Sequence, residues 1–151
     1  MQKGNGLKAP HRAIAAAVVI DTSGDLLLQQ RDDRPDIIYP GGIGLFGGHR
    51  EDGETALECV VRELAEELTY DIAPERFVEL GSREGEDTER EGGTFRGDFY
   101  VVRDVPRDKI IVTEGTLLVV APSDVARIDH KLTPTARFAL AAYFALTRTS
   151  S

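Results

Sequence analysis

The sequence predicts an α+β fold, a mixed β-sheet with helices packed on it. Three observations carry this expectation. Apolar segments of strand length stand on both sides of one strongly amphipathic helix, in the order strands, helix, strands, helix. No regular strand–helix–strand alternation is present, which argues against a doubly wound parallel sheet. The 151 residues, 41% hydrophobic and 29% charged, suit one compact domain with a real core and are too few for two sizeable ones. The expected organisation is a flexible arm over residues 1–10, with two Gly and a Pro, followed by a single domain over 11–148.

Taken in order, Ala13 to Ile20 is apolar and β-branched and predicts a first strand. Its core, Ile14 to Ile20, is far too short to span a bilayer. Lys3 and Lys8 precede it as in a secretory leader, but Asp21 closes the run and no small-residue cleavage site follows, so a buried strand is expected. Thr22-Ser23-Gly24 reads as a turn and Leu26 to Gln30 as a second strand, together a hairpin. Asp32 to Gly48, with Pro35, Pro40 and five Gly, predicts a loop with short extended pieces at most. Glu54 to Leu68 predicts a helix: Leu57, Val60, Val61, Leu64 and Leu68 form one apolar stripe, and Thr55 with Glu58 fits a capping box. Phe77 to Leu80 reads as a strand and Ser82 to Gly93 as a mobile, acid-rich loop. Thr94 to Val102 alternates Phe95, Phe99 and Val101 against Arg96, Asp98 and Tyr100, the pattern of a half-buried strand. Ile110 to Val112 and Leu117 to Val120 are expected as further strands, and Thr133-Pro134 opens a last helix to about Leu146.

Charge and cysteine content narrow the function classes. Cys59 is the single cysteine, which excludes an internal disulfide framework and a thiolate zinc cluster and makes a reducing cytoplasm the expected compartment. With 26 acids against 18 bases the net charge is −8, a surface that repels nucleic-acid backbone and anionic membrane alike. A small anion still binds such a protein if a divalent cation stands between them.

The polar side of the long helix carries the strongest chemical signal. Glu63, Glu66 and Glu67 stand at i, i+3 and i+4, so their carboxylates emerge on one face within a turn. Between Glu51 and Tyr70 there are seven acids and one base, Arg62. Like charges at i,i+4 cost a few tenths of a kcal/mol, and repulsion left uncancelled by side chains calls for an external cation. An all-oxygen site suits Mg²⁺, Mn²⁺ or Ca²⁺ rather than zinc or copper. The competing reading is a solvated acidic face.

The flank of the helix weighs against that alternative. From Gly48 the spacing runs Gly, five residues, Glu54, seven residues, Arg62-Glu63-Leu64, one residue, Glu66-Glu67. At roughly 7% per position, six such matches arise by chance with a probability on the order of 10⁻⁷ per start site. The segment resembles the Nudix box, G-x5-E-x7-R-E-U-x-E-E-x-G-U with U a bulky aliphatic residue, over residues 48–70. Thr69 stands in place of the second glycine and Tyr70 in place of the final aliphatic residue. Upstream, Ile43 and Phe46 stand where many relatives have Trp and Pro.

The resemblance implies a Nudix-type α/β/α sandwich with a mixed sheet, the box helix and a C-terminal helix. It implies hydrolysis of a nucleoside diphosphate linked to another moiety, by water attack on phosphorus with Mg²⁺ or Mn²⁺. Carried over residue by residue, Glu63 and Glu67 are the first metal ligands, Glu66 shares coordination or serves as base, and Gly48 offers its backbone carbonyl. Arg62 holds the glutamates by ion pairing, or forms a helix pair with Glu58, and Glu54 supports the site. Outside the box, Glu114 is the best candidate for a further acid, acting as metal ligand or general base, with Glu89 and Glu91 competing. Dimers are common among relatives, so a homodimer is an open expectation.

Weaker signals surround this constellation. Arg31 and Arg34 flank the Gly-rich loop, as phosphate contacts or as solvated charges. Tyr39, Phe46 and Tyr100 offer rings to stack on a base, or core packing. His49 reads as a surface residue, His11 and His130 lack metal-ligand spacing, and Cys59 reads as a small filler. Downstream signatures of subclasses are missing. Near residue 85, where many ADP-ribose enzymes have Pro, the chain reads Arg83-Glu84-Gly85-Glu86; Asp87 and Thr88 replace the Tyr of some dinucleoside polyphosphate enzymes. No SQPWPFPxS-like segment of NADH-directed enzymes is present. Nucleoside triphosphates and nucleotide sugars remain as expected substrates, with capped RNA disfavoured by charge. The rival from another class is a Nudix-fold sensor that binds a nucleotide without turnover, a role that usually goes with lost box glutamates.

Overall fold

A computed structural model describes residues 11–36, 39–87 and 91–149. The arm expected over residues 1–10 lies outside the described residues. Strand β1 (His11–Asp21) is the axis of the sheet. A turn at Thr22-Ser23-Gly24 returns the chain into β2 (Leu26–Gln30), pairing Val19 with Leu27 and Ile20 with Leu26. Asp21 directs that turn by accepting the backbone N–H groups of Ser23 and Asp25, each at 2.9 Å. Two short strands follow, β3 (Ile43–Gly44) on β2 and β4 (Phe46–His49) antiparallel to the first half of β1. Residues 43–49 thus bridge β2 and β1 where the two strands part. On its other edge β1 pairs in parallel with β6 (Thr94–Val105), which pairs with β5 (Val78–Glu86); β7 (Thr116–Val120) pairs with β2.

Helices cover both faces. Alternate residues of β1 point to opposite sides. Ile14, Ala16, Val18 and Ile20 pack with Ala136, Ala139, Leu140 and Tyr143 of the C-terminal helix α3 (Pro134–Thr149), which follows a short α2 (Val125–Ile128). Ala15, Ala17 and Val19 pack with Cys59, Val60, Leu64 and Leu68 of α1 (Ala56–Leu68). The mixed sheet with helices is therefore as the sequence predicts, and the α/β/α sandwich as the resemblance implies. Thr55 caps α1, and the capping box with Glu58 is closed in both directions. Among the described residues no helix is long and apolar enough to cross a membrane.

Two expectations are corrected. The segment from Ser82 onward is strand as far as Glu86, not a loop: its registers run from Ser82 opposite Asp98 to Glu86 opposite Thr94. The strand lies at the sheet's edge with nearly every residue exposed, so it has no apolar alternation to betray it. Its end is tied to the head of β1 by Arg12 and Asp87, a buried pair with Nε–Oδ2 2.8 Å and Nη2–Oδ1 2.9 Å. Ile110 to Val112 forms no strand. Instead the Ile111 N–H donates to the Leu68 carbonyl at 2.8 Å and the Thr113 N–H to the Glu67 carbonyl at 3.0 Å, satisfying the last turn of α1.

That strap explains how the helix ends without the glycine of the box. Thr69 takes the left-handed conformation itself, at φ 52° and ψ 42°, which costs a β-branched residue roughly 1 kcal/mol or more. Its hydroxyl donates to the Ile111 carbonyl at 2.9 Å, a bond that glycine could not make.

Candidate active site

A cavity of about 690 Å³ opens where β1 and β2 part, between the second half of α1 and the N-terminus of α3. Glu63, Glu67, Glu114, Gly48, Arg62, Arg31 and Tyr39 are among its lining residues. The sequence-derived candidates Glu63, Glu67, Glu114 and Gly48 therefore meet, although they come from a helix, a strand and a distant turn. Gly48 has a steric reason to be glycine: a Cβ there would overlap the Glu63 carboxylate.

Glu67 is buried, and its Oε1 accepts the Gly47 N–H at 2.8 Å. Burial, reinforced by the negative charges of Glu63, Glu114 and Glu66, pushes its pKa up to about 8 against the pull of that hydrogen bond. Arg62 is the hub of the box. It bonds Glu54 through Nε (2.7 Å) and Nη2 (2.9 Å), Glu63 through Nη1 (2.6 Å) and the His49 carbonyl through Nη2 (3.1 Å). The hydrogen bonds from Arg62, and then that from the Glu51 N–H, hold Glu54 down at about 2. The helix pair with Glu58 does not form, because the Glu58 carboxylate is occupied by the Thr55 N–H.

Other candidates fall elsewhere. Glu66 lies on the outer side of α1, its side chain 62% exposed and 3.4 Å from Arg62, and it does not line the cavity. Arg34 is exposed, pairs with Asp36 at 3.2 Å and lies outside the cavity, whereas Arg31 lines it. Phe46 and Tyr100 are buried among the residues beneath α1 and present no ring to a ligand. Phe46 faces the α1 side of β4 and is fully buried there. Tyr39 lines the cavity in a left-handed conformation at φ 52°. His49 is exposed at the cavity wall. Glu91 is exposed and away from the cavity, and Glu89 lies outside the described residues. Cys59 is a buried filler whose Sγ donates to the Gly48 carbonyl at 3.4 Å; burial pushes the thiol up to about 12, so no thiolate nucleophile forms near neutral pH. Sequence reasoning missed Arg12, Gln29 and Thr133, all buried and all lining the cavity. The available signal was a polar pair, Gln29-Gln30, ending an otherwise apolar strand.

Do these residues fit a divalent cation? The donors are all oxygen, and Glu67 is a carboxylate held back from ionising first by burial and then by the negative charges of Glu63, Glu114 and Glu66, a deficit that a cation corrects. Among the described residues no three His, Cys, Asp or Glu side chains form a ready-made cage. Mg²⁺ keeps several waters and is held by one or two carboxylates together with substrate phosphates, a number that Glu63 and Glu67 on the cavity wall would supply.

An acidic cleft built on a helix of this spacing, in an α/β/α sandwich, defines a class of protein. The NUDIX domain model matches residues 10–135, and the chain belongs to that family. It is 34% identical over 73 residues to the NAD-capped RNA hydrolase NudC of Stutzerimonas stutzeri, a match covering 48% of this chain and 25% of that protein. The match thus spans about a quarter of that relative's length. The fold is similar to the MutT protein of Methanosarcina mazei Go1, with TM-score 0.75, 18% identity and coverage of 94% of this chain and 99% of the other. It is also similar to the ORF135 protein of E. coli, with TM-score 0.71, 23% identity and 92% of each chain covered.

Proposed function

We propose that this chain hydrolyses the diphosphate linkage of a nucleoside diphosphate derivative, a nucleoside triphosphate or a nucleotide sugar, by attack of water on phosphorus with Mg²⁺ or Mn²⁺ as cofactor. The observation that carries the reading is the convergence of Glu63, Glu67, Glu114 and Gly48 on one cavity, with Glu67 buried and short of positive charge. Glu63, Glu67 and the Gly48 carbonyl hold the metal. When bound, the metal neutralises the diphosphate and makes water a stronger acid. Arg62 keeps Glu63 and the start of the helix in place through its fork to Glu54. Arg31 contacts a substrate phosphate. Glu114 takes the proton of the attacking water, a role better suited to a cavity residue than to the outward-facing Glu66.

The size of the cavity suits a small nucleotide, and the net charge of −8 works against a long polyanion. The test is Mg²⁺- and Mn²⁺-dependent hydrolysis of a panel: each nucleoside and deoxynucleoside triphosphate, several nucleotide sugars, ADP-ribose, NADH, dinucleoside polyphosphates and an NAD-capped RNA. Turnover of one compound, lost with chelator and with Glu67→Gln, establishes the reaction. Protection against thermal unfolding by a nucleotide, with no turnover of anything, replaces the enzyme by a sensor.

A further inference from the structure

Gln29 is a buried polar side chain, 8% exposed, that lines the cavity. Its Nε2 donates to the Glu114 carbonyl at 3.0 Å. That bond fixes which way round the amide lies, since reversing it would set two acceptors against each other. Oε1 is left as a buried acceptor with no hydrogen-bond partner among the described residues. Buried acceptors are nearly always satisfied, so this one marks a place for a donor.

Three considerations limit what that donor is. Phosphate oxygens of an ionised diphosphate only accept, so the scissile group itself does not satisfy Oε1. Alternation along β2 puts Leu26 and Leu28 on the α3 side and Leu27 on the α1 side, so Gln29 shares the α1 side with Glu63 and Glu67. The turn carrying Glu114 is pinned there by Gln29, by the Thr113 N–H on the Glu67 carbonyl and by Gly115, whose φ of +67° and lack of a side chain let the turn close over Gln29 and Gln30.

We propose that Gln29 Oε1 accepts a hydrogen bond from the water that attacks phosphorus, orienting it against Glu114. This rests on the hydrolase reading above. One hydrogen of the water points to the amide oxygen and the other to the Glu114 carboxylate, which leaves a lone pair of the water for phosphorus. As the new P–O bond forms, the bridging P–O bond breaks, the proton passes to Glu114 and the leaving phosphoryl group departs with the bridging oxygen.

The test compares wild type with Gln29→Met, which keeps volume and removes both polar atoms. Turnover of the wild type on the panel is measured first, so failure of the hydrolase reading shows there, before the variant is used. For Gln29→Met, kcat is expected to fall about 10- to 100-fold with KM and nucleotide affinity unchanged. A raised KM with unchanged kcat would make Gln29 a reader of the nucleoside and overturn the proposal, as would no change in either. The second measurement needs neither turnover nor a variant: a crystal structure of the wild type with Mg²⁺ and α,β-methylene-ATP, or the methylene analogue of the compound turned over fastest. An ordered water within about 3.2 Å of Oε1 is expected; a sugar hydroxyl or base N–H there, or no donor at all, overturns the assignment.

Discussion

At the level of single residues, the proposed reaction gives Glu67 and Arg62 different parts. Glu67 is held where its charge is disfavoured, so replacing it by Gln removes little from the metal-free fold and much from the reaction. The expected loss in kcat for Glu67→Gln is about 10²- to 10³-fold, read in the hydrolysis assay. Arg62 works through its planar fork, which lysine cannot reproduce. Arg62→Lys should lower both kcat and the melting temperature, and an unchanged melting curve would mean that the Glu54 bonds contribute nothing in solution. The Glu54 carboxyl carries a pH signature. Its pKa is about 2 in the folded protein, below the ordinary carboxylate value, so its stabilising contribution is complete above that ordinary value and is lost as pH falls from there towards 2. Melting temperatures of wild type and Glu54→Gln measured from pH 7 downward should therefore converge in acid.

Helix α1 and the strap over residues 111–113 form one mechanical unit. The start of the helix was legible because Thr55 and Glu58 signal to each other locally, and Thr55→Ala should cost about 1 kcal/mol in denaturant unfolding. The end was not legible, because its partners lie more than forty residues away: Thr69 bonds the Ile111 carbonyl and the Glu67 and Leu68 carbonyls are satisfied by Thr113 and Ile111. Thr69→Val keeps the left-handed strain and loses the hydroxyl, so it should destabilise by about 1–2 kcal/mol. Thr69→Gly exchanges one loss for the other and should stay within about 1 kcal/mol of wild type. The same unit explains why Ile110 to Val112 reads as a strand: Ile110 and Val112 pack against the core on the α1 side, while the N–H groups of Ile111 and Thr113 turn to helix carbonyls instead of a neighbouring strand.

For the molecule as a whole, the cleft gathers more acidic than basic side chains along its walls. The acidic residues of the cleft are left without a full complement of positive side chains, so Mg²⁺ or Mn²⁺ should stabilise the fold by mass action. At a metal concentration a hundred times the dissociation constant the gain is about 2.7 kcal/mol, visible as a rise in melting temperature that disappears in Glu67→Gln. Equal shifts in wild type and variant would place the ion elsewhere.

The sequence by itself determined the box helix with its cap, the central hairpin and the α+β class. These follow from periodicities and spacings that act within a few turns of chain. Tertiary structure alone decided that Phe46 and Tyr100 serve the core, that Arg62 pairs with Glu54 rather than Glu58, and that the charged edge beyond Ser82 is strand. It also decided that Gln29 lies buried beside Glu114. Each of these depends on which distant segment supplies a hydrogen-bond partner or a wall. Such contacts leave no period in the sequence, because the partners are brought together only when β1 and β2 part and the strap closes over the helix.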